Sequence, residues 1–226
     1  MRRFYWWTTT KVLQIRARPS NAHLDKLHAN WIREREKPPE KIDAERCQQA
    51  FDNYQDAVWQ LFEPFQKGEV VPEGYLGADF RLLLTPHRPN YIYYPEMTDV
   101  IVPFDILMSM AVSERIAEIL RRFGAEEQAV QLIPVPVYEE TTGLYLGRFY
   151  LVHYLLRVSG VIVLGEGLET VRIEVARSAV PDAPLFQVQD VEARTMPREV
   201  VREDVRAALE GAGITGCRFV PIVRVR

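Results

Sequence analysis

The sequence predicts an α+β fold, in which a mixed or antiparallel sheet packs with three or four helices. Apolar residues recur every three or four positions between residues 47 and 65, which is typical of a helix with one buried face. Short segments that alternate apolar and polar residues, such as ETVRIEVA and LFQVQDV, are typical of strands. A helix that stops at glycine before an apolar strand occurs twice, at FGAEEQAVQLIPVPV and at EGAGITGCRFVPI.

The composition is that of a globular protein with enough apolar residues for a large core. The chain has 226 residues, of which 47% are hydrophobic and 26% are charged. Its two cysteines, Cys47 and Cys217, lie far apart and lack neighbours at metal-ligand spacing, so we expect both to be reduced. The N-terminal apolar run is interrupted by TTTK, and no segment approaches the ~20 apolar residues of a membrane span. We therefore expect a protein that does not contact membranes and that is either cytoplasmic or exported by a route that the sequence does not show.

The charges are distributed unevenly along the chain, although the net charge is only −3. Residues 1–50 contain 11 Lys and Arg against 6 Asp and Glu, whereas residues 51–150 contain 7 against 15. The remaining residues contain 10 of each kind. The middle of the chain therefore either offers an acidic surface to a basic partner or carries scattered, solvated carboxylates. Because no dense basic patch occurs, we do not expect direct nucleic-acid binding.

The N-terminal part is predicted to open with a strand and to continue with two helices. Residues 4–16 are rich in aromatic and β-branched side chains, and Pro19-Ser20-Asn21 is expected to break this strand and to cap a short helix. Asp43 is predicted to cap a second helix of about twenty residues. Pro64 and Gly68 mark the end of that helix.

The remainder of the chain is predicted to be rich in strands, with two more helices. DFRLLL, NYIYYPEM and VIVPFDIL are expected to be strands, and a helix is predicted over residues 113–123 with Gly124 as its cap. The prolines of VQLIPVPV predict an edge strand. Residues 144–164 are expected to form two strands that break near Ser159-Gly160. The last helix is predicted over residues 198–211, before the final strand CRFVPIVRV.

The two helix–strand patterns match each other at a nearly constant offset. VSERIAEILRRFG begins at Val112 and VREDVRAALEGAG at Val201, so that Val, Glu, Leu and Gly coincide 89 residues apart. Either two generic helix–strand units resemble each other, or one strand–helix–strand unit is present twice. We interpret residues 1–100 as a variable N-terminal region and residues 101–226 as an α+β core that is continuous with it.

The sequence contains no recognisable pattern of catalytic or metal-binding residues. His23 and His28 are five residues apart, so they do not share a helix face as a metal-binding pair needs. HExxH, CxxC, GxSxG and phosphate-binding loop motifs are absent. We therefore expect neither a cofactor nor a metal, and we do not expect an enzyme. The alternative is an enzyme of unrecognised type, built on His87 or His153 and nearby carboxylates.

Residues 85–99, TPHRPNYIYYPEMTD, combine prolines with three closely spaced tyrosines. Tyrosine is favoured at interfaces because it offers a large contact area and a polar tip at low entropic cost. The alternative is an ordinary strand, in which Tyr91 and Tyr93 share one face and Tyr94 lies on the other. With acidic residues of the middle segment, this stretch gives the predicted partner-binding set: Tyr91, Tyr93, Tyr94, Glu96, Asp99, Glu139 and Glu140.

The C-terminal third combines a short strand, LFQV at residues 185–188, with a helix that ends in GITG and a final FVPI strand. In this order, the segments resemble the close of a bacterial immunity-protein family known from polymorphic-toxin systems, including those of myxobacteria. RFYLVHYLLRVSGV, residues 148–161, resembles the central strand of that family. The resemblance covers residues 148–222. The chain departs from the family pattern at Gln187, where arginine is frequent, and at Arg202, where serine is usual.

The resemblance implies an α+β fold and a protein that neutralises a cognate toxin by binding it. It supplies no catalytic residues, because such proteins act by occlusion. Together with the acidic middle segment, it leads us to expect an inhibitor whose carboxylates meet the basic cleft of a toxin domain, such as a nuclease. A structural or regulatory oligomer is a third interpretation, which an exposed apolar patch with twofold symmetry would favour. The sequence leaves the oligomeric state open.

Overall fold

The protein has an α+β fold with mixed and antiparallel sheets, as the sequence predicts. The computed structural model describes residues 3–9, 16–85, 98–101, 110–166, 170–190, 196–221 and 223–226. The strands are β1 (Phe4–Thr9), β2 (Arg16–Ser20), β3 (Arg81–Thr85), β4 (Val100–Ile101), β5 (Ala111–Ser113), β6 (Val130–Glu139), β7 (Tyr145–Tyr154), β8 (Arg157–Ser159), β9 (Val161–Leu164), β10 (Thr170–Val175), β11 (Leu185–Gln189), β12 (Arg198–Arg202), β13 (Cys217–Val220) and β14 (Val223–Val225). The helices are α1 (Ala22–Arg35), α2 (Ala44–Leu61), α3 (Glu63–Lys67), α4 (Glu114–Arg122), α5 (Ala125–Gln128) and α6 (Glu203–Gly211).

The described residues form six α-helices rather than three or four, because two very short helices accompany the longer ones. α3 follows α2 directly after Phe62 and has Pro64 in its first turn, where a missing N–H removes no helical hydrogen bond. α5 follows α4 directly after Gly124. Among the residues that the structure describes, no helix is long and apolar enough to cross a membrane.

The two long N-terminal helices begin at the residues predicted to cap them. The Asn21 side chain accepts a hydrogen bond from the backbone N of Leu24 at 2.8 Å. The Asp43 side chain accepts one from the backbone N of Arg46 at 3.1 Å. Each cap satisfies a donor that the first helical turn leaves without a partner, so these helix starts follow from local sequence alone.

The N-terminal strand differs from the prediction. β1 is described as far as Thr9, and a second strand, β2, includes Pro19 and Ser20, which we expected to break the N-terminal strand. β2 pairs with β3 at the edge of its sheet. An edge strand accepts proline because the missing N–H can face away from the neighbouring strand.

The described strands form three sheets. The orders are β2-β3-β6-β7-β5-β4, β13-β1-β12-β11-β8 and β14-β10-β9. The VQLIPVPV segment, which was predicted to be an edge strand, belongs to β6, and β6 lies between β3 and β7 in the six-stranded sheet. β3 pairs with residues 137–139 of β6. Pro134 and Pro136 therefore precede the part of β6 that is paired on both sides, which explains how an interior strand accommodates them.

Two strand–helix–strand units of the fold share one topology. β5 and β6 are joined through α4 and α5, and both pair antiparallel with β7, which lies between them. β12 and β13 are joined through α6, and both pair antiparallel with β1, which lies between them. Each is a split β-α-β unit. The repeated pattern in the sequence therefore coincides with a repeated arrangement of strands around a helix.

Equivalent residues of the two units occupy equivalent places. Three positions, each 89 residues apart, are fully buried in both units: Val112, Ile116 and Leu120 in the first, and Val201, Val205 and Leu209 in the second. In each unit, a tyrosine of the central strand donates to the glutamate that opens the helix, and an arginine lies over the tyrosine ring: Tyr150, Glu114 and Arg121 in the first, and Tyr5, Glu203 and Arg206 in the second. The tyrosine–glutamate contact thus recurs at equivalent helix positions, whereas the two arginines lie at different positions of their helices.

Three apolar clusters hold the elements together. The first joins the two split units through α4 and α6. The second lies between the N-terminal helices and the six-stranded sheet, and the third between the five-stranded and three-stranded sheets. Strands from the first hundred residues pair in both larger sheets, through β1, β2 and β3. The division of the chain near residue 100 stays a prediction.

The last helix is shorter than predicted. It begins at Glu203, and residues 198–202, expected to be its start, form β12. β12 pairs with β1 on one side and with β11 on the other. These two neighbours decide the conformation of REVVR, since β-branched valines fit a strand that is paired on both sides better than a helix.

Gly160 lies where the chain passes from β8 in one sheet to β9 in another, near the predicted break. A Cβ atom there would lie 2.6 Å from the backbone O of Glu174 and 2.6 Å from Cγ1 of Val188. We expect Gly160→Ala to lower the free energy of unfolding by about 2 kcal/mol, since the sheets must shift to admit the methyl group. Denaturant unfolding measures this loss. Gly211→Ala is the control, because a Cβ at Gly211 meets no atom within 4 Å; equal losses in both variants would contradict the packing argument.

Candidate functional site

The turn between β6 and β7 is built around the carboxylate of Glu139. This carboxylate accepts hydrogen bonds from the backbone N of Thr141 at 2.8 Å and from the backbone N and hydroxyl of Thr142. The backbone N of Gly143 donates to the Glu139 carbonyl at 3.0 Å. Glu139 is only 2% exposed. Its role in the described structure is therefore to fix the turn, although the sequence predicted it as a partner-binding residue.

Glu140, the next residue, is held by a network of charged side chains from three other elements. Arg18 Nε donates to Glu140 Oε1 at 2.6 Å, and Arg18 Nη1 donates to Asp25 Oδ1 at 2.9 Å. Arg81 Nη2 donates to the second oxygen of Asp25 at 2.8 Å. The hydroxyl of Ser20 donates to the same carboxylate. Two arginines and two carboxylates thus alternate in a partly buried network that fixes the position of Glu140.

The network stabilises the charge of its central arginine. Burial alone would lower the pKa of the Arg18 guanidinium, but its hydrogen bonds to Asp25 and Glu140 and their charges outweigh burial and raise this pKa above its ordinary value. His28 lies close to the same groups, one turn after Asp25 on α1. Burial and the charge of Arg18 lower the pKa of His28, and its ring packs against Trp31 and Tyr54.

The hairpin also carries exposed apolar side chains. The rings of Tyr138 and Tyr145 pack together with centroids 5.3 Å apart. Tyr145 is 53% exposed and Leu144 is 62% exposed. We call Tyr138, Glu140, Leu144 and Tyr145 the hairpin patch. Exposed aromatic and aliphatic groups of this kind are common on surfaces that bind other proteins.

Asp99 lies away from the hairpin patch and connects the two split units. Its carboxylate accepts hydrogen bonds from the Ser113 hydroxyl at 2.7 Å and from the backbone N and hydroxyl of Thr215 at 3.0 and 3.2 Å. Burial would raise the pKa of this carboxyl, but the hydrogen bonds of Ser113 and Thr215 and the charge of Arg115 lower it below its ordinary value. Ser113 precedes α4 and Thr215 follows α6, so Asp99 ties one unit to the other.

The predicted partner-binding residues do not all come together. Glu139 and Glu140 lie at the end of β6, whereas Asp99 precedes β4, and β7 and β5 separate these two strands in the sheet. Tyr91, Tyr93, Tyr94 and Glu96 lie outside the described residues. The chain enters their segment from β3, next to Leu84, whose carbonyl accepts from the backbone N of Glu140 at 3.1 Å.

The histidines considered for an enzyme have different surroundings. His87 lies outside the described residues. His153 is fully buried, its Nε2 lies 2.6 Å from the carbonyl of Glu69, and its ring packs on Phe65. Burial lowers the pKa of His153. In the described ranges, His, Cys, Asp and Glu side chains form no group of three that could hold a metal ion.

The sequence patterns did not predict that Arg18, Asp25 and Arg81 position Glu140. Arg18 is 122 residues from Glu140 in the chain, and Arg81 is 56 residues from Asp25. The only available signal was the alternation of RARPS, which places polar side chains on one face of a strand. Alternation does not reveal which carboxylates those side chains meet.

The chain matches no protein-family model, and none of the curated proteins matches it as a relative.

Proposed function

We propose that this protein is an immunity protein, which binds a cognate bacterial toxin domain and blocks it by steric and electrostatic occlusion. The hairpin patch carries the proposal, because exposed tyrosine and leucine side chains on a fixed hairpin are suited to binding a protein surface. The resemblance of residues 148–222 to an immunity-protein family supports it independently. Occlusion needs no reaction at the site, so the protein acts as an inhibitor and not as an enzyme.

The hairpin patch is suited to tight binding because little of it has to become ordered on contact. Glu139 fixes the turn, and Arg18 fixes Glu140. The two tyrosine rings hold each other in place. Side chains that are already fixed lose little conformational entropy on binding, so more of the contact energy appears as affinity.

The acidic middle of the chain supplies the electrostatic part of the proposal. Residues 51–150 contain 7 Lys and Arg against 15 Asp and Glu. A toxin that acts on nucleic acid needs a basic cleft, and opposite charge speeds the encounter of the two proteins. We place this encounter in the cytoplasm of the cell that makes both proteins. Tyr91, Tyr93, Tyr94 and Glu96 stay predicted members of the interface.

Co-expression tests the function directly. The toxin domain encoded beside this gene is induced in a heterologous bacterium, with and without this protein, and survival is followed. We expect rescue, together with a stoichiometric complex that purifies from the rescued cells. Cell death despite soluble, folded protein, in a strain where an equal amount of the toxin is made, would contradict the proposal for this pair.

The hairpin patch is tested by the double substitution Leu144→Ser and Tyr145→Ser. We expect toxin affinity to fall at least tenfold, since each side chain loses about 1–2 kcal/mol of contact energy, while the melting temperature stays unchanged. Titration calorimetry of the purified pair measures the affinity. Trp59→Ser is the matched control, because Trp59 is an aromatic residue on α2 that is 43% exposed. If Trp59→Ser weakened binding and the hairpin variant did not, the interface would lie on α2 and not on the hairpin patch.

A further inference from the structure

A second polar site lies inside the protein, where β7 meets the five-stranded sheet. Gln187 of β11 is fully buried, and among the described residues neither its Nε2 nor its Oε1 meets a partner in strict hydrogen-bond geometry. The hydroxyl of Tyr154, the last residue of β7, is also buried and lacks such a partner within the same residues. The two elements meet here, since the backbone N of Gln187 donates to the carbonyl of Leu156 at 3.0 Å. Polar groups left like this are rare in folded proteins, so the site calls for an explanation.

Glu199, which is half-buried, completes the site. It lies on β12 directly opposite Gln187 in the antiparallel register, so the two side chains share one face of the sheet. The Gln187 amide is close enough to influence the Glu199 carboxyl, and the charge of Glu199 in turn acts on the Tyr154 hydroxyl. We call Tyr154, Gln187 and Glu199 the seam cluster.

The two arginines next to the seam cluster donate hydrogen bonds to groups outside it. Arg157 pairs with Gln187 from β8, but its guanidinium donates to the carbonyls of Phe65 and Gln66. Arg198 precedes Glu199, points to the other face of β12 and donates to the Thr170 hydroxyl at 2.7 Å.

On β1, the indole of Trp7 is buried beside the Cys217 thiol. Among the described residues, its ring N–H meets no partner in strict hydrogen-bond geometry. From the described elements around Glu199, the charged or titratable groups are therefore Arg198, Arg157, Tyr154 and Cys217. The charge of Arg198 acts on Glu199, and the charge of Glu199 acts on Tyr154.

The chemistry of an acid beside an amide depends on the proton. A neutral carboxylic acid donates through its O–H and accepts through its carbonyl oxygen, so it satisfies both Oε1 and Nε2 of a glutamine. A carboxylate accepts only, so it can pair with Nε2 but offers no donor to Oε1. Protonation of Glu199 therefore allows one more hydrogen bond between the two side chains.

We propose that Glu199 is a proton-responsive switch at the junction of β7 and the five-stranded sheet. With the proton bound, Glu199 pairs with the Gln187 amide and the junction is closed. With the proton lost, the carboxylate draws water towards Gln187 and Tyr154, and the junction loosens.

The switch operates near neutral pH. Burial raises the pKa of Glu199 from the ordinary value of 4.5 to about 7, against the opposing effects of its own backbone N–H, Arg198 and Gln187. The folded state therefore binds the proton more tightly than the unfolded state does. The stability that the proton contributes is fully present below pH 4.5 and is lost as the pH rises through about 7.

Titration of the full chain with ¹³C-labelled glutamate carboxyls, followed by NMR, tests the proposal. We expect one carboxyl to titrate with a midpoint near pH 7, and its signal to disappear in Glu199→Gln. Exchange of the Gln187 backbone amide, which donates across the junction, is expected to be at least tenfold faster at pH 8 than at pH 6 after correction for the intrinsic rate. A midpoint for Glu199 near 4.5 would overturn the proposal.

Two variants separate the switch from general effects of pH. Glu199→Gln keeps the shape and pairs with Gln187 at every pH, so its corrected exchange rate is expected to be the same at pH 6 and pH 8. Glu118→Gln removes an exposed carboxylate of α4 and is expected to behave as the wild type. If Glu199→Gln kept the pH dependence of the wild type, Glu199 would not be the group responsible. If a variant folds poorly, the midpoint of the wild-type titration still tests the proposal.

Discussion

Replacing Leu209 with alanine is expected to lower the free energy of unfolding by about 3–4 kcal/mol, because the fully buried leucine leaves a cavity that neighbouring side chains fill only in part. Leu209 lies on α6, in the cluster through which α6 packs against α4. The equivalent residue of α4, Leu120, is also fully buried. We therefore expect a loss of similar size for Leu120→Ala. Urea unfolding followed by circular dichroism measures both.

The control for these variants is Leu144→Ala, which removes the same atoms from a residue that is 62% exposed. Its expected effect is within about 0.5 kcal/mol of zero. The double variant of Leu120 and Leu209 is expected to depart from additivity by more than about 0.5 kcal/mol, because both residues line one cluster. A loss below about 1 kcal/mol for Leu209→Ala would show that the C-terminal helix is not part of the common core.

The features that could be predicted from the sequence are those that depend on neighbouring residues. Asn21 and Asp43 cap helices through hydrogen bonds to residues three positions ahead, so a short stretch of sequence is enough to predict where these helices begin. The repeated helix was visible for the same reason. Its glycines, Gly124 and Gly213, both take left-handed conformations, with φ of 70° and 66°. A local rule about helix ends therefore located both split units.

The features that could not be predicted depend on strands that are distant in sequence. REVVR becomes β12 because β1, almost 200 residues earlier, pairs with one side of it. RARPS is a strand that ends in Pro-Ser because β3 offers it an edge position. The alternation in a short segment gives the period of its side chains, but it does not give the partner that decides between helix, strand and loop.

The candidate site shows the same limit. Composition and charge brought Glu139, Glu140 and Asp99 to attention, and all three take part in specific contacts. The sequence did not separate their roles, however, because each role is set by a partner elsewhere in the chain. Glu139 fixes its own turn, and Glu140 is held by Arg18. The seam cluster could not be predicted, because Gln187 and Glu199 lie on different strands and only the pairing of these strands brings them together.

Asp99→Ala is expected to lower the free energy of unfolding by about 3 kcal/mol at pH 7, because it leaves the backbone N–H of Thr215 and the Ser113 hydroxyl without their acceptor. The carboxylate is 8% exposed, so water replaces it poorly. Its pKa is lowered in the folded state, so its contribution is present above the ordinary value of 3.8 and is lost as the pH falls through the folded value. The difference between wild type and variant is therefore expected to shrink in acid.

Unfolding of wild type and Asp99→Ala at pH 7 and at pH 3 measures this difference, and Asp99→Asn separates charge from shape. Asparagine keeps one oxygen as an acceptor but cannot attract Arg115, which lies 3.7 Å from the carboxylate. We expect it to retain part of the lost stability at pH 7. If Asp99 only bound a partner protein, the variant would be as stable as the wild type at both pH values. That result would favour the predicted role of Asp99 in partner binding. A large loss of stability that becomes smaller in acid would instead establish Asp99 as the connection between the two split units.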